Sequence, residues 1–324
     1  MTTVQSACGE VQISELGSTL SHEHLFINMM QERRGDGLLN DEELLKDELQ
    51  AFADQGGGSI WELTTAELTP GSTVDSTSTF TAAEGQTRNP QALEAIARIS
   101  KATGVHILLG TGRYRDPYLS HNVISELGIA GLAEEMVRDL NEGFQGTSTR
   151  AALIGEIGAD KWFVSAMEEQ VFRAAARASG ETDALIYTHA ARWQVGAEQL
   201  AILRDEGVDP SRVIIGHSDT VPSDDYVLSL AAQGVNLGID TVNTSNDWEV
   251  RRRTRLLRKL IDAGYISQIV ISHDVCTVSQ LAAYGGNGYG YILGGFRAAA
   301  LAAGIEIEEY DQLLKVNPHR LIRR

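Results

Sequence analysis

Two histidines separated by one residue are the first feature of this sequence that could do chemistry. They lie in Ser21-His22-Glu23-His24, directly after the β-like run Ser18-Thr19-Leu20. Side chains alternate between the two faces of a strand, so His22 and His24 should point the same way, with Cα atoms about 6–7 Å apart. Two imidazoles directed at one point suit a divalent transition metal. The alternative is a hydrogen-bonded pair of histidines near a strand end.

Further residues of metal-binding type occur where later apolar runs end. These candidate ligands are Glu156, His189, His217 and Asp274. With the first two histidines they make four imidazoles and two carboxylates, enough for two divalent ions if one carboxylate bridges. Two ions about 3.5–4 Å apart can share and acidify one water. Such ligands suit Zn²⁺, Mn²⁺, Fe²⁺ or Co²⁺. Taken singly, each residue also has a structural explanation, such as an arginine partner for Glu156 or a helix cap at Asp274.

The elements that must position these ligands follow a regular pattern. Eight short apolar or β-branched runs alternate with amphipathic helical stretches, at spacings of about 30–50 residues that suit βα units. The runs end at or near residues 24, 63, 110, 157, 189, 217, 240 and 274. This pattern predicts one α/β domain over residues 1–324 with a closed (β/α)8 TIM barrel. An open doubly wound sheet is the alternative, although no Gly-x-Gly-x-x-Gly opens a helix after the first strand.

Barrel enzymes carry their active sites at the C-terminal ends of the strands, where all six candidate ligands are predicted to lie. Strands two, three and seven end without an obvious ligand. His273 neighbours Asp274 and should therefore point away from the metals. His106 begins its strand and should lie at the opposite face of the barrel.

Two predicted loops are unusual in length or composition. The polar stretch from Thr64 to Thr87 is predicted to be an elaborated loop after strand two. The glycine-rich segment Tyr284–Gly290 follows strand eight and could be either a mobile lid or a tight packing turn.

Composition limits the function classes. The 324 residues are 43% hydrophobic and 22% charged, which is typical of a globular protein, and the net charge of −17 disfavours a nucleic-acid or anionic-membrane surface. Two distant cysteines, Cys8 and Cys276, do not suggest a disulfide scaffold. The N-terminus shows no signal-peptide pattern, and a cytoplasmic location is expected.

The motifs around these ligands resemble those of the phosphotriesterase-related family within the amidohydrolase superfamily, over nearly the whole chain. The matching segments are Gly9-Glu10-Val11, Leu16–Leu25, Gly110–Tyr114, Ile154–Gly158, Thr188-His189, Ile215–Asp219, Ile271–Asp274 and Val316–Arg320. Each alone is weak, but together they are specific.

The resemblance implies a role for each ligand. Asp274 would hold the more buried metal with the two histidines of strand one, and His189 with His217 would hold the more exposed metal. The family often bridges its metals with a carboxylated lysine, whereas Glu156 stands at that position here. A bridging glutamate resembles the phosphotriesterase homology branch of the family. Lys161 lies beyond the strand end and is not assigned as the bridge.

The resemblance also implies the reaction. A metal-bridging hydroxide would attack the carbonyl of a small ester, most readily a lactone, with Asp274 as general base and then acid. Amide, carbamate or phosphoester hydrolysis on the same metals is the alternative, followed by a metal-containing binding protein without turnover. Zn²⁺ is the first choice of metal. The partner is a small-molecule substrate, and a homodimer is common among such relatives.

Substrate contacts are expected from loops after strands three, seven and eight. Tyr114 lies where lactonases of the family place a tyrosine. Arg113 and Arg115 flank it and could meet an anionic group, or else form surface ion pairs. Trp248 and Tyr289 could add apolar wall, or else pack between helices and barrel.

Overall fold

The computed structural model of this chain describes residues 2–69 and 87–324 and contains a sheet of eight parallel strands. These strands, β1 to β8 in chain order, are Ser18–Glu23, Gly57–Glu62, His106–Thr111, Leu153–Gly158, Ile186–His189, Val213–Gly216, Asn236–Ile239 and Ile269–Ile271. Each strand pairs with its sequence neighbours, so the order around the sheet is the order along the chain.

The two edge strands, β1 and β8, meet and nearly close the sheet into a barrel. The backbone N–H of His22 donates to the hydroxyl of Ser272 (2.9 Å), and the N–H of Asp274 donates to the carbonyl of His22 (3.1 Å). The predicted (β/α)8 barrel is therefore confirmed, and the open doubly wound sheet is excluded.

A helix follows each strand and covers the outside of the barrel. These helices, α1 to α8, are Glu42–Asp54, Pro90–Thr103, His121–Asn141, Ala166–Thr182, Gly196–Asp205, Asp224–Ala231, Asp247–Asp262 and Gly295–Ala302. Short helices at Met30–Arg33, Ile307–Asp311 and Asn317–Leu321 supplement them. In the part of the chain that the structure describes, no helix has the length and apolar character needed to cross a membrane.

Local sequence signals explain where several helices begin and end. The side chain of Asn89 accepts from the N–H of Gln91 at the start of α2, and Gly104 ends that helix at φ +74°, where glycine carries no steric penalty. The hydroxyl of Ser165 accepts from the N–H of Glu168, whose carboxylate accepts from the N–H of Ser165. This capping box fixes the start of α4, directly after a loop at the top of the barrel.

Alternation along the strands separates two apolar layers. Ile107 and Leu109 of β3 face the helices, whereas Leu108 between them joins a cluster inside the barrel with Trp61 and Val270.

The N-terminal hairpin, Thr3–Ser6 with Gly9–Gln12, and the last helix also contribute to the inner cluster. They close the lower end of the barrel and leave the C-terminal strand ends open. A polar site at the upper end therefore rests on a packed apolar floor.

The two predicted loops have different outcomes. Residues 70–86 of the loop predicted after β2 lie outside the described residues, and the single domain over residues 1–324 stays a prediction. The segment after β8 is held against α1, because the carboxylate of Glu48 accepts from the N–H groups of Ala282 (3.1 Å) and Ala283 (2.7 Å). These contacts favour the packing turn over the lid for Tyr284–Gly290.

Candidate metal centre

The upper ends of five strands bring all six candidate ligands together. Two overlapping groups place one ligand atom from each member within 4.8 Å of the others. The first group is His22, His24 and Asp274, and the second is His22, Glu156 and His217. His189 completes the cluster, with Nδ1 2.9 Å from Nε2 of His217. Residues up to 252 positions apart in sequence thus converge on one point because parallel strands end at a common edge.

Glu156 of β4 occupies the middle of the cluster. Its Oε2 lies 3.3 Å from Nε2 of His22, 3.5 Å from Nε2 of His217 and 3.1 Å from Nδ1 of His189. Its Oε1 lies 3.6 Å from Nε2 of His24. A carboxylate whose two oxygens face different imidazoles is placed as a bridge between two ions would be.

The buried nitrogen of His22 indicates that the site suits a cation. Nδ1 of this ring contacts Oδ2 of Asp240 (3.1 Å), whereas the buried Nε2 makes no hydrogen bond of acceptable geometry among the described residues, although Oε2 of Glu156 lies 3.3 Å away. A buried polar atom without a partner is costly unless something else binds it. A divalent metal ion in contact with imidazole and carboxylate would satisfy it, so the residues present fit such an ion.

Electrostatics support the same conclusion. Burial opposes ionisation of Glu156, but the imidazoles of His22 and His189 outweigh it and hold the pKa of this carboxyl well below its usual range. Burial disfavours the imidazolium of His22, but Glu156 and Asp240 outweigh it and raise the pKa to about 10. Burial, together with His217, lowers the pKa of His189 to about 4. The ionised carboxylates therefore require positive charge, which either protons or metal ions can supply.

Asp240, directly after β7, is a residue of the candidate site that sequence reasoning missed. It is fully buried and joins two candidate ligands, since Oδ2 contacts Nδ1 of His22 and Oδ1 contacts Nδ1 of His217 (2.9 Å). Tyr187 also donates to Oδ2 (2.7 Å). These bonds direct both Nε2 atoms towards Glu156. The available signal was the position of Asp240 directly after an apolar run, as for the other ligands.

We expect Asp240→Asn to bind metal about 10–100-fold more weakly, because carboxylates that orient ligating histidines contribute about this much to metal affinity. An amide can accept from only one of the two imidazoles without presenting N–H to the other. Metal affinity measured with a competing chelator checks this prediction. Asp247→Asn, at an 87% exposed side chain on α7, is the matched control. Equal metal affinities in Asp240→Asn and Asp247→Asn would show that Asp240 does not orient the two histidines.

His24 is oriented by a second polar chain. Arg88 donates to Oε2 of Glu62 (2.5 Å), and the hydroxyl of Thr64 donates to Oε1 of the same carboxylate (2.5 Å). The hydroxyl oxygen of Thr64 can then accept from Nδ1–H of His24 (3.0 Å). This leaves Nε2 of His24 free to face Asp274 Oδ1 at 3.3 Å. The end of β2, where no ligand was expected, thus supports the candidate ligand His24.

Three of the four predicted substrate residues do not line the described cavity. Arg113 is buried between the carboxylates of Glu67 (3.1 Å) and Glu135 (2.8 Å), so its charge is used within the protein. Trp248 is 62% exposed at the start of α7. Tyr289 is fully buried and donates to the carbonyl of His24 (2.6 Å), which holds the backbone of that candidate ligand.

Tyr114 does line the cavity, and its hydroxyl lies 3.3 Å from Nδ1 of His189. Arg115 lines it as well, but it is paired with Asp160 and Glu32. Both arginines that flank Tyr114 therefore form ion pairs, as the alternative prediction stated. Both guanidinium groups are buried, however, so these are not surface ion pairs.

His273 points away from the ligands as predicted. Its Nδ1 contacts Glu23 Oε1 (2.8 Å), and its Nε2 accepts from the N–H of Ile292 (3.0 Å). Glu23, the residue between the two histidines of β1, therefore anchors the segment that carries Asp274.

Above the cluster lies an open cavity of about 790 Å³. Its walls include His24, Glu156, His189, His217 and Asp274 at the base and Lys161, Trp162, Arg192 and Trp193 at the mouth. This volume suits a small molecule.

Comparison with known proteins identifies the class. The model of the phosphotriesterase family matches residues 2–322. The phosphotriesterase homology protein of Escherichia coli is 30% identical over 308 residues, which cover 95% of this chain and 98% of that protein. Its crystal structure, with phosphate in the active site, superposes with a TM-score of 0.84, at 29% identity and covering 95% of this chain and 99% of that one.

Two further relatives have named activities. An N-acetyltaurine hydrolase of Homo sapiens is 28% identical over 358 residues, which cover 97% of this chain and 96% of that protein. The structure of a lactonase from Listeria monocytogenes superposes with a TM-score of 0.81 at 25% identity, covering 99% of this chain and 98% of that one.

A TIM barrel with a cluster of histidines and carboxylates at its strand ends defines a metal-dependent hydrolase. The chain belongs to the phosphotriesterase family, whose members depend on a binuclear metal centre.

Proposed function

We propose that this chain hydrolyses a small carbonyl ester, with a lactone as the first candidate substrate. The observation that carries the proposal is the convergence of six candidate ligand side chains, in which the buried Nε2 of His22 lies 3.3 Å from Oε2 of Glu156. Two divalent ions, Zn²⁺ in first place, would polarise the substrate carbonyl and acidify the attacking water. His22, His24 and Asp274 would hold one ion, the histidines of β5 and β6 the other, and Glu156 both.

Asp274 is the proposed proton carrier. Its side chain is 19% exposed, more than that of any other member of the cluster, so it belongs to the cluster and also faces the cavity. Its oxygen Oδ1 lies 3.3 Å from Nε2 of His24, within the cluster. The carboxylate would accept a proton from the attacking water and return it to the departing oxygen.

Tyr114 is the proposed hydrogen-bond donor to the substrate. Burial raises the pKa of its phenol well above the usual value, with a smaller contribution from the charge of Glu156. The group therefore stays protonated near neutral pH and can donate to an oxygen of the bound ester. Its hydroxyl lies 3.3 Å from Nδ1 of His189 and lines the cavity, which supports a contact with a carbonyl bound at the cluster.

Amide hydrolysis is the second candidate. It is favoured by the similarity to N-acetyltaurine hydrolases along almost the whole chain and by the cationic side chains of Lys161 and Arg192 at the cavity mouth. A carbonyl at the same position would be attacked in either reaction, and the departing group would distinguish them.

The test is proton release by the metal-loaded protein on matched panels of lactones, N-acyl amides, carbamates and phosphotriesters. We expect kcat/KM to be at least about tenfold higher for one or more lactones than for the other classes, a difference of about 1.4 kcal/mol in transition-state binding. Asp274→Asn and chelator-treated protein are the controls for contaminating esterases. Turnover restricted to amides would replace the first candidate with the second.

We further propose that the chain is a homodimer with no partner macromolecule needed for turnover. Light scattering coupled to size-exclusion chromatography would decide it, and a mass near 35.1 kDa would contradict it.

A further inference from the structure

Three large aromatic side chains cluster at the mouth of the cavity and remain exposed. Trp162 and Phe163 follow β4, Trp193 follows β5, and their exposed fractions are 62%, 47% and 44%. The ring of Trp162 lies edge-to-face with those of Phe163 (5.7 Å) and Trp193 (5.4 Å). Aromatic rings of this size usually gain from burial, so an exposed group of three marks a surface that another molecule covers.

The position of these rings links them to the metal centre. Trp162 and Trp193 belong to the walls of the cavity that also contains Glu156 and Asp274. A molecule that reacts at the cluster and extends outwards therefore encounters the two indoles.

The loops after β4 and β5, which carry these aromatic residues, are both held in place by hydrogen bonds. The capping box of Ser165 fixes the chain just after Phe163, and the N–H of Arg192 donates to the hydroxyl of Thr220 (2.6 Å). The aromatic surface is thus largely formed before a ligand arrives, which lowers the entropic cost of binding.

A cation precedes each indole in sequence and adds positive charge to the same surface. Lys161 precedes Trp162, and Arg192 precedes Trp193. The nearby carboxylates of Asp160 and Glu32 are already paired with Arg115. Lys161 keeps only a loose contact with Asp160, at 3.8 Å, and its side chain is 55% exposed.

The Arg192 side chain has no carboxylate within 4.0 Å among the residues that the structure describes. We define the aromatic rim as Trp162, Phe163 and Trp193 with the cations Lys161 and Arg192.

We propose that the aromatic rim binds an aromatic ring of the substrate that carries a negative charge at its outer edge. The indoles would cover the faces or edges of the ring, and the two cations would meet its charge. This inference rests on the proposed function, because it places the reacting carbonyl at the metal cluster and the ring at the mouth. It narrows the substrate to a small aryl-substituted ester or amide that bears an acidic group.

Phosphonates test the rim without requiring turnover, because their oxyanion can bind divalent metal while the substituent extends into the cavity. Calorimetry on zinc-loaded protein would compare methylphosphonate, phenylphosphonate and 4-phosphonobenzoate, with inorganic phosphate as the reference. We expect phenylphosphonate to bind at least about tenfold more tightly than methylphosphonate, in line with the stacking of one ring on aromatic side chains. The added carboxylate should give a further gain of about threefold.

Single substitutions separate the affinity gained from the aromatic ring from that gained from the carboxylate. Trp162→Ala should reduce the gain from the ring to less than about twofold, and Arg192→Gln should remove the gain from the carboxylate while keeping that of the ring. Trp248→Ala is the matched control, since Trp248 is equally exposed (62%) but does not line the described cavity. The affinity for inorganic phosphate should stay the same in all variants, which shows that the metal centre is intact.

Several results would overturn the proposal. The proposal is wrong if phenylphosphonate binds no more tightly than methylphosphonate, or if none of the phosphonates binds. An equal loss in Trp162→Ala and Trp248→Ala would also overturn it. If Trp162→Ala instead dissociates a dimer and leaves the phosphonate affinities unchanged, the rim is an interface between copies of the chain.

The outcome can be separated from that of the proposed function. Tight binding of phenylphosphonate with no turnover of any substrate class would retain the rim and reject ester and amide hydrolysis. Lactone turnover without a gain from the ring would retain the hydrolase and reject the rim.

Discussion

Replacing Asp274 by asparagine should leave the fold intact and lower kcat by at least about 10³-fold, within the range that a lost general acid–base typically costs. The backbone of Asp274 is at φ +56°, a conformation that asparagine adopts more readily than most residues, so the substitution adds no backbone strain. The hydrogen bond from the backbone N–H of Asp274 to the carbonyl of His22 does not involve the side chain and is kept in the variant. What is lost is a carboxylate that can carry a proton.

Metal content must be measured on the same sample, because Asp274 is also a candidate ligand. Circular dichroism and the thermal midpoint report the fold, and elemental analysis reports the number of ions per chain. Full metal loading with a kcat above about one tenth of the parent value would remove Asp274 from proton transfer, since a transition-state contribution of more than about 1.4 kcal/mol would then be absent.

Removal of the metals is expected to have an equally large effect. Chelator treatment should abolish turnover and lower the thermal midpoint by about 10–15 °C, because two ions, each at about 1,000 times its dissociation constant, together stabilise the fold by about 8 kcal/mol. The physical cause is the cluster of buried carboxylates around Glu156 and Asp240, which then depends on protonated imidazoles alone. Activity and stability should both return with two equivalents of Zn²⁺, Mn²⁺ or Co²⁺.

Reloading should also release protons. Without metal, the pKa of His22 is raised to about 10, so this ring is protonated near pH 8 and must lose its Nε2 proton when an ion binds. Apparent metal affinity should accordingly fall as the pH is lowered. Calorimetry in buffers of different ionisation enthalpy measures the protons released per ion. Full activity at less than about 0.1 metal ion per chain would contradict metal dependence altogether.

The barrel and the convergence of the six candidate ligands could be predicted because each depends on a pattern within one element. Alternation along β1 directs His22 and His24 to one side, and apolar runs such as Val213–Gly216 mark the strands themselves. Parallel strands end at a common edge. Residues at the ends of different apolar runs are therefore expected to lie close together in space. The helix starts at Asn89 and Ser165 likewise need only the chemistry of three or four consecutive residues.

Contacts between distant elements were not predictable in the same way. Arg113 looked like a substrate residue because Tyr114 follows it, but its direction depends on Glu67 and Glu135, which come from two other segments. Asp240 resembled the last residue of an ordinary strand, and only packing shows that it joins His22 to His217.

The aromatic rim depends on the same kind of long-range placement. Trp162 and Trp193 lie in loops with no periodic signal, and they meet because β4 and β5 are adjacent in the closed sheet. Residue order specifies the strands, their ends and the types of the candidate ligands, since these follow from local periodicity and hydrogen bonding. Which polar side chains face the cavity and which pair inside the protein depends on the packing of the whole barrel, because burial and partner are properties of the assembled elements.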